Sequence, residues 1–200
     1  MTVTQGEKMT KEITARSFFK DFLQATNDID MTIYKNTNKK YTDIITEKLK
    51  DILTQSYGLG VNKEYYRIDV FGWKTRRDPE LVNTIPEGLW LHLWQPIIAI
   101  EHENNHTDWT DELTKLLFIN CPLKVIIGYN HWDKRNDSVI GDEKKLEYAA
   151  KVICKLSPND NFKSDFLIIF GNCWGIELGN KYDEKDYRGY LLTNGKFEQI

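Results

Sequence analysis

Leu123-Lys124-Val125-Ile126-Ile127-Gly128-Tyr129 is a short, almost wholly apolar run, and it limits what this chain can become. A strand that carries apolar side chains on both faces must be covered on both, and the usual covers are helices. Pro96-Ile97-Ile98-Ala99-Ile100 has the same character. The covers are present. In residues 39–56, Tyr41, Ile44, Ile45, Leu49, Ile52 and Leu53 recur at helical spacing, and Gly58 and Gly60 end the pattern. Residues 142–156 turn Leu146, Ala149, Ala150, Ile153 and Leu156 inward, and residues 10–26 carry a partial apolar face of Ile13, Phe18, Phe19, Phe22 and Leu23. A further helix is expected after Asp108, a suitable N-cap, with Asp111 and Glu112 in the first turn and Trp109, Leu113, Leu116 and Leu117 on one side.

Strands are expected at 64–74, at 89–94 where Leu89, Leu91 and Leu93 alternate with Trp90, His92 and Trp94, and from Pro96 to near Glu103. Phe166 to Phe170 adds another, and Asn194-Gly195 is the signal of a two-residue hairpin turn. Asp78-Pro79 and Pro86-Glu87-Gly88 read as turns. The order is helix, three strands, helix, strand, then more helix and strand. It predicts an α/β fold with a mixed sheet in one domain, 1–200, with 1–38 as an N-terminal helical extension.

Two hundred residues suffice for a sizeable core. A formal charge of −3 excludes a global basic field, so a polyanion would need a local patch. Cys121, Cys154 and Cys173 are far apart, odd in number and outside any CxxC pattern, which points to free thiols in a reducing compartment. The N-terminus lacks the apolar core of a signal peptide, and no run approaches membrane-spanning length. The expectation is a cytoplasmic chain without a membrane partner.

The chemistry sits at the end of the Pro96 run, in Glu101-His102-Glu103. Side chains alternate along a strand, so Glu101 and Glu103 share a face and His102 points the other way. Asp69 lies at a similar depth in Tyr65-Tyr66-Arg67-Ile68-Asp69-Val70-Phe71-Gly72-Trp73. If the two strands are neighbours, two or three carboxylates crowd one spot, and like charges there cannot all ionise without a cation. Mg²⁺ suits such a site, being hard, oxygen-seeking and often held by one or two carboxylates. Solvated acids at a strand end, with Asp69 paired to Arg67 or Arg76, are the plainer alternative.

This pattern resembles the PD-(D/E)xK nuclease superfamily, the restriction-endonuclease-like group, over about residues 40–130. Asp69 matches the family's first acid, and Glu101-His102-Glu103 matches its (D/E)-x-K, with Glu103 where lysine usually stands. The resemblance implies an αβββαβ core with extra C-terminal helix and strands, and metal-dependent hydrolysis of nucleic-acid phosphodiesters, DNA first, with endonucleolytic cleavage as one form. It implies Mg²⁺, with Mn²⁺ able to substitute, held by Asp69, Glu101 and the main-chain carbonyl of His102. Glu103 would be general base or third ligand. Some members add an acid from the preceding helix, for which Glu47 is the candidate; it also reads as a solvated helix residue. Lys115 or Lys124 would supply the missing cation; each also reads as a surface or helix-flank lysine. Loss of the lysine equally allows a degenerate nuclease fold acting as a binding or regulatory module. A homodimer is open.

His102-Glu103-Asn104-Asn105-His106 also spells HExxH, the zinc-protease pattern, with His102 and His106 as ligands and Glu103 as base. That chemistry needs a helix. The β-branched run after Pro96 favours a strand, in which the two histidines stand roughly 13 Å apart. Lys74, Arg76 and Arg77 follow the Asp69 strand and are the candidates for phosphate contacts; the alternative is a solvated turn.

Overall fold

The structure, a computed structural model, describes residues 11–29, 33, 38–76, 78–88, 94–104, 109–130, 132–133, 138–139, 142–157, 164–172 and 187–200. Helix α1 (Ala15–Thr26) opens on a capping box, in which Thr14 and Ser17 exchange side-chain and backbone hydrogen bonds. Helix α2 (Asn38–Asp51) buries Tyr41, Ile45 and Leu49, one residue per turn along a single stripe, and runs into a π-helical turn at Ile52–Ser56. Strands β1 (Gly60–Tyr65) and β2 (Ile68–Thr75) form a hairpin. A short helix α3 (Pro79–Asn83) follows, with Asp78 as N-cap accepting from the amides of Glu80 and Leu81, where a turn was expected.

Then come β3 (Trp94–His102), α4 (Trp109–Leu117), β4 (Leu123–Asn130), the two-residue strands β5 (Trp132–Asp133) and β6 (Ser138–Val139), α5 (Asp142–Leu156), β7 (Asp165–Asn172), β8 (Arg188–Thr193) and β9 (Lys196–Gln199). Seven strands make one mixed sheet in the order β1-β2-β3-β4-β7-β8-β9. The β3–β4 and β4–β7 pairs are parallel and the others antiparallel. The α/β reading and the mixed sheet therefore hold.

One correction follows. The run read as one strand at 64–74 is split at Tyr66-Arg67, with Tyr65 pairing Ile68 across the turn. Both turn residues have positive φ, 51° and 64°, the conformation of a two-residue hairpin turn that Asn or Gly normally occupies. The segment 89–93, expected as a strand, lies outside the described residues. Among the described residues the antiparallel strands before α4 are thus β1, β2 and β3. Helix α1, within the expected N-terminal extension, packs into the core: its Phe18 and Phe22 are fully buried in the same cluster as Ile98, Val125 and Leu167.

The sheet divides the core in two. On one face, α1 and α2 pack against Val70, Ile98, Ile100, Val125 and Ile127. On the other, α4 and α5 pack Leu113, Leu116, Ala149 and Ile153 against Ala99, Ile126, Ile168 and Phe170. All eight residues of β4 are buried, as its sequence requires. Pro96, which has no amide to donate, sits where the β2–β3 register shifts between Gly72 and Trp73. Among the described residues no helix is long and apolar enough to cross a membrane.

Candidate functional site

Antiparallel pairing of β2 with β3 sets Val70 opposite Ile100, which brings Asp69 beside Glu101 and His102. Two hydrogen bonds fix this corner. The His102 amide donates to Asp69 Oδ2 at 2.8 Å, and the Asp69 amide donates to Glu101 Oε2 at 3.3 Å. Each acid is thus held by the other strand's backbone. Asp69 is half-buried and Glu101 has no exposed surface.

Glu101 lies on the face covered by α4, and Lys115 of that helix comes down onto it. The Lys115 ammonium stands 3.0 Å from Glu101 Oε1, pairs with Glu112 one turn back, and donates to the Arg67 carbonyl at 3.1 Å. Glu101 Oε1 is buried and takes no hydrogen bond of good geometry. Sequence reasoning proposed Lys115 but passed over Glu112 as a first-turn acid. The signal available was the i,i+3 spacing of Glu112 and Lys115 on the helix side that carries the sheet-facing residues.

Three carboxylates now share one ammonium. Burial pushes the Glu101 carboxyl up to about 8, and the neighbouring Asp69 adds to it; Lys115 offsets only part. Asp69 is also raised, by burial first, against the opposing bond from the His102 amide. Lys115 is partly buried, which alone would lower its pKa, yet Glu112 and Glu101 outweigh this and raise it. These directions pull against each other, since Lys115 favours an ionised Glu101. The upward shift of Glu101 prevails on charge count, because three negative charges around one positive favour keeping a proton, and the most buried acid keeps it.

Glu103, the expected base or third ligand, lies one residue past β3, half-buried, its amide bonded to the Ile127 carbonyl. Among the described residues no three His, Cys, Asp or Glu side chains converge as a metal-binding group, so Glu103 does not complete a triad with Asp69 and Glu101. Glu47 is exposed on α2 and engaged by Lys63 and Lys50, away from the acid pair. Lys124 is buried with its ammonium 4.8 Å over the Phe166 ring, so of the two candidate lysines only Lys115 reaches the acids. Lys74 and Arg76 are exposed at the far end of β2, about 17 and 23 Å from Asp69 by strand rise, and do not border the acid pair. Arg77 lies outside the described residues.

His102 removes the geometry that HExxH requires. It ends a strand, and its ring is buried on the opposite face from Glu101. There Nε2 lies 2.9 Å from the Tyr129 hydroxyl, which is bonded in turn to the hydroxyls of Tyr41 and Tyr187. Burial holds the imidazole neutral, with its pKa down to about 3. His106 lies outside the described residues.

No family model and no curated protein matches this chain.

Two adjacent carboxylates are a donor set that a small hard cation uses, and here the Lys115 ammonium, 3.0 Å from the buried Glu101 Oε1, already offsets part of their charge. Mg²⁺ typically uses one or two carboxylates and completes its shell with water or substrate phosphate.

Proposed function

We propose that this protein is a metal-dependent nuclease of the PD-(D/E)xK type, with Asp69 and Glu101 holding Mg²⁺ or Mn²⁺ and Lys115 replacing the lysine missing from Glu101-His102-Glu103. The observation that carries this reading is the Lys115 ammonium 3.0 Å from the buried carboxylate of Glu101. The element order α2-β1-β2-α3-β3-α4-β4 supports it: apart from the short α3 it is compatible with an αβββαβ core, with the acids on the adjacent strands β2 and β3. When bound, the cation would polarise the phosphodiester and lower the pKa of the attacking water.

The chain's own groups divide the remaining work. The backbone amides of His102 and Asp69 aim the two carboxylates. Lys115, fixed by Glu112 and the Arg67 carbonyl, presents positive charge where negative charge grows on the phosphate. Glu103, one step further along the acid face, is assigned the proton of the attacking water. DNA is the first substrate to try.

A second reading, a nuclease-like fold that binds without cleaving, draws on one observation: among the described residues no three His, Cys, Asp or Glu side chains form a group that could hold a metal ion. One assay separates the two. Supercoiled and linear DNA are incubated with Mg²⁺ or Mn²⁺, with EDTA as control, using wild type, Glu101→Ala and Asp69→Asn. Cleavage that needs metal and disappears in both variants supports the nuclease. Intact DNA throughout, together with no Mn²⁺ uptake in calorimetry, would leave the binding module.

A further inference from the structure

Beside the acid pair the sheet carries an aromatic surface with no role in the chemistry above. Tyr65 packs edge-on against Tyr66 at 4.5 Å and against Trp94 at 5.4 Å, and lies 5.4 Å from Phe71. Trp94 in turn stacks on Trp73, with ring centroids 4.5 Å apart and planes 16° from parallel. Tyr66 is 78 % exposed and Phe118 is 70 % exposed. Tyr65, Tyr66, Ile68, Phe71, Trp94 and Phe118 line an open cleft of about 310 Å³. The cleft and the acid pair share structural parts. Ile68 precedes Asp69, and Phe118 follows Lys115 by three residues, its amide bonded to the Lys115 carbonyl. The Arg67 carbonyl that receives Lys115 belongs to the turn that holds Tyr66 outward.

That turn has a conformational cost. Tyr66 and Arg67 both adopt positive φ, where side chains other than Asn, Asp and Gly are uncommon. A chain under selection for stability alone would place Asn-Gly there, as this one does at Asn194-Gly195. Arg67 is exposed in the turn itself, beside Tyr66, with the exposed Glu64 two residues before that ring. Exposed rings beside the Arg67 guanidinium, next to the corner proposed to cleave phosphodiesters, match the base-and-backbone pattern of a single nucleic-acid strand.

We propose that this cleft takes up an unpaired base, with Tyr66 and Phe118 as its stacking faces, so that the substrate is single-stranded nucleic acid or a frayed end rather than intact duplex. The proposal rests on the nuclease reading for the identity of the neighbouring site. A paired base offers only its edge; a face becomes available once the base leaves the stack. The cleft is at the small end of ligand sites, with room for a base and none for a duplex. Adjacency to the acid pair, through the Arg67 carbonyl that receives Lys115, favours a nucleic-acid strand over a protein partner.

The test measures binding apart from cleavage. Fluorescent dT12 and a 12-base-pair duplex are titrated with the full chain in EDTA, following anisotropy. Dissociation constants are compared for wild type, Phe118→Ala, and the double variant Tyr66→Asn with Arg67→Gly, which relaxes the turn while removing the ring and the guanidinium. Wild type should prefer dT12, and each variant should weaken dT12 binding at least about fivefold while its Tm is unchanged or, for the double variant, raised. Equal affinity for duplex and dT12, no binding to either, or variants that bind as wild type would overturn the proposal. So would a wild-type dimer in sedimentation that Phe118→Ala dissociates, since a second copy would then fill the cleft. Cleavage with Mg²⁺ is scored separately. Active enzyme with indifferent variants sinks the base cleft alone, and selective binding of dT12 without cleavage sinks the nuclease alone.

Discussion

Lys115 of helix α4 reaches 3.0 Å from Glu101 Oε1 of strand β3, fourteen positions away in sequence. The lysine that the (D/E)-x-K pattern places two residues after its acid is here delivered from the next element. If Lys115 stabilises charge on the phosphate, Lys115→Met should lower metal-dependent cleavage by about 10² or more. It should leave the unfolding free energy within about 1 kcal/mol of wild type, because the lysine is partly exposed and Glu101 keeps a proton near neutral pH. Lys115→Arg should recover part of the loss. Full activity in Lys115→Met, measured under single turnover, would remove Lys115 from the site.

Glu101 predicts the alkaline side of the stability profile. Its folded carboxyl titrates near 8, whereas an exposed glutamate titrates near 4.5. Between those values the native state keeps a proton that the unfolded state has lost, so stability falls as pH rises through this window. The slope is at most about 1.4 kcal/mol per pH unit. Glu101→Gln carries the neutral form permanently and should therefore be more stable than wild type at pH 8 and close to it at pH 5. Thermal melts at the two values decide; a variant less stable than wild type at pH 8 would contradict the assignment.

His102 predicts the acid side. Its ring titrates near 3 when folded and near 6.5 when exposed, so the unfolded state binds the extra proton in this interval and stability is lost as pH falls. From about 4.5 to 6.5 the two groups act in opposite senses and largely cancel. Above 6.5 Glu101 governs, and below 4.5 His102 does. Asp69, also raised, steepens the fall on the high side of its own range. His102→Phe should keep the ring volume beside Tyr129, leave the three tyrosine hydroxyls bonded to one another, and flatten the acid limb. His102→Ala should instead cost about 2–4 kcal/mol near neutral pH, through the cavity and the lost partner of Tyr129, and less as pH falls, because the variant has no imidazole to protonate. An acid limb unchanged in His102→Phe would show that another group sets it.

The fold was legible where periodicity and burial agree. The stripe of Tyr41, Ile45 and Leu49 marked α2, the apolar run from Leu123 marked a central strand, and Asn194-Gly195 marked the last hairpin. The first hairpin was hidden because Tyr66-Arg67 turns the chain with residues that carry no turn signal, so two strands read as one. Asp69 and Glu101 were legible because acids inside apolar strands stand out. Alternation gives Glu103 the acid face, but its depth is set by where the strand ends, and β3 ends at His102, which leaves Glu103 one residue beyond it and half-buried. Glu112 was under-read because its partners, Lys115 and through it Glu101, are fixed by the packing of α4 on the sheet, which no local pattern encodes. Lys74 and Arg76 follow Asp69 closely in sequence, but an extended strand carries them to the opposite end of the sheet.

Metal binding should be visible as stability before any substrate is found. A divalent cation needs Asp69 and Glu101 ionised, and Glu101 gives up its proton only near pH 8. At pH 6 a cation must displace that proton; at pH 8.5 it meets a carboxylate pair whose mutual repulsion it relieves. A ligand that binds only the native state raises stability by an amount that grows with its concentration over its Kd. Ten millimolar Mg²⁺, about a hundredfold over a Kd of order 0.1 mM, would add about 2.7 kcal/mol at pH 8.5 and much less at pH 6. The Mg²⁺-induced rise in Tm should therefore increase with pH and vanish in Glu101→Gln. In Asp69→Asn it should shrink and lose part of its pH dependence, because the neutral amide no longer raises the pKa of Glu101. A rise in Tm that is the same at both pH values, or that survives Glu101→Gln, would place the cation elsewhere on the protein.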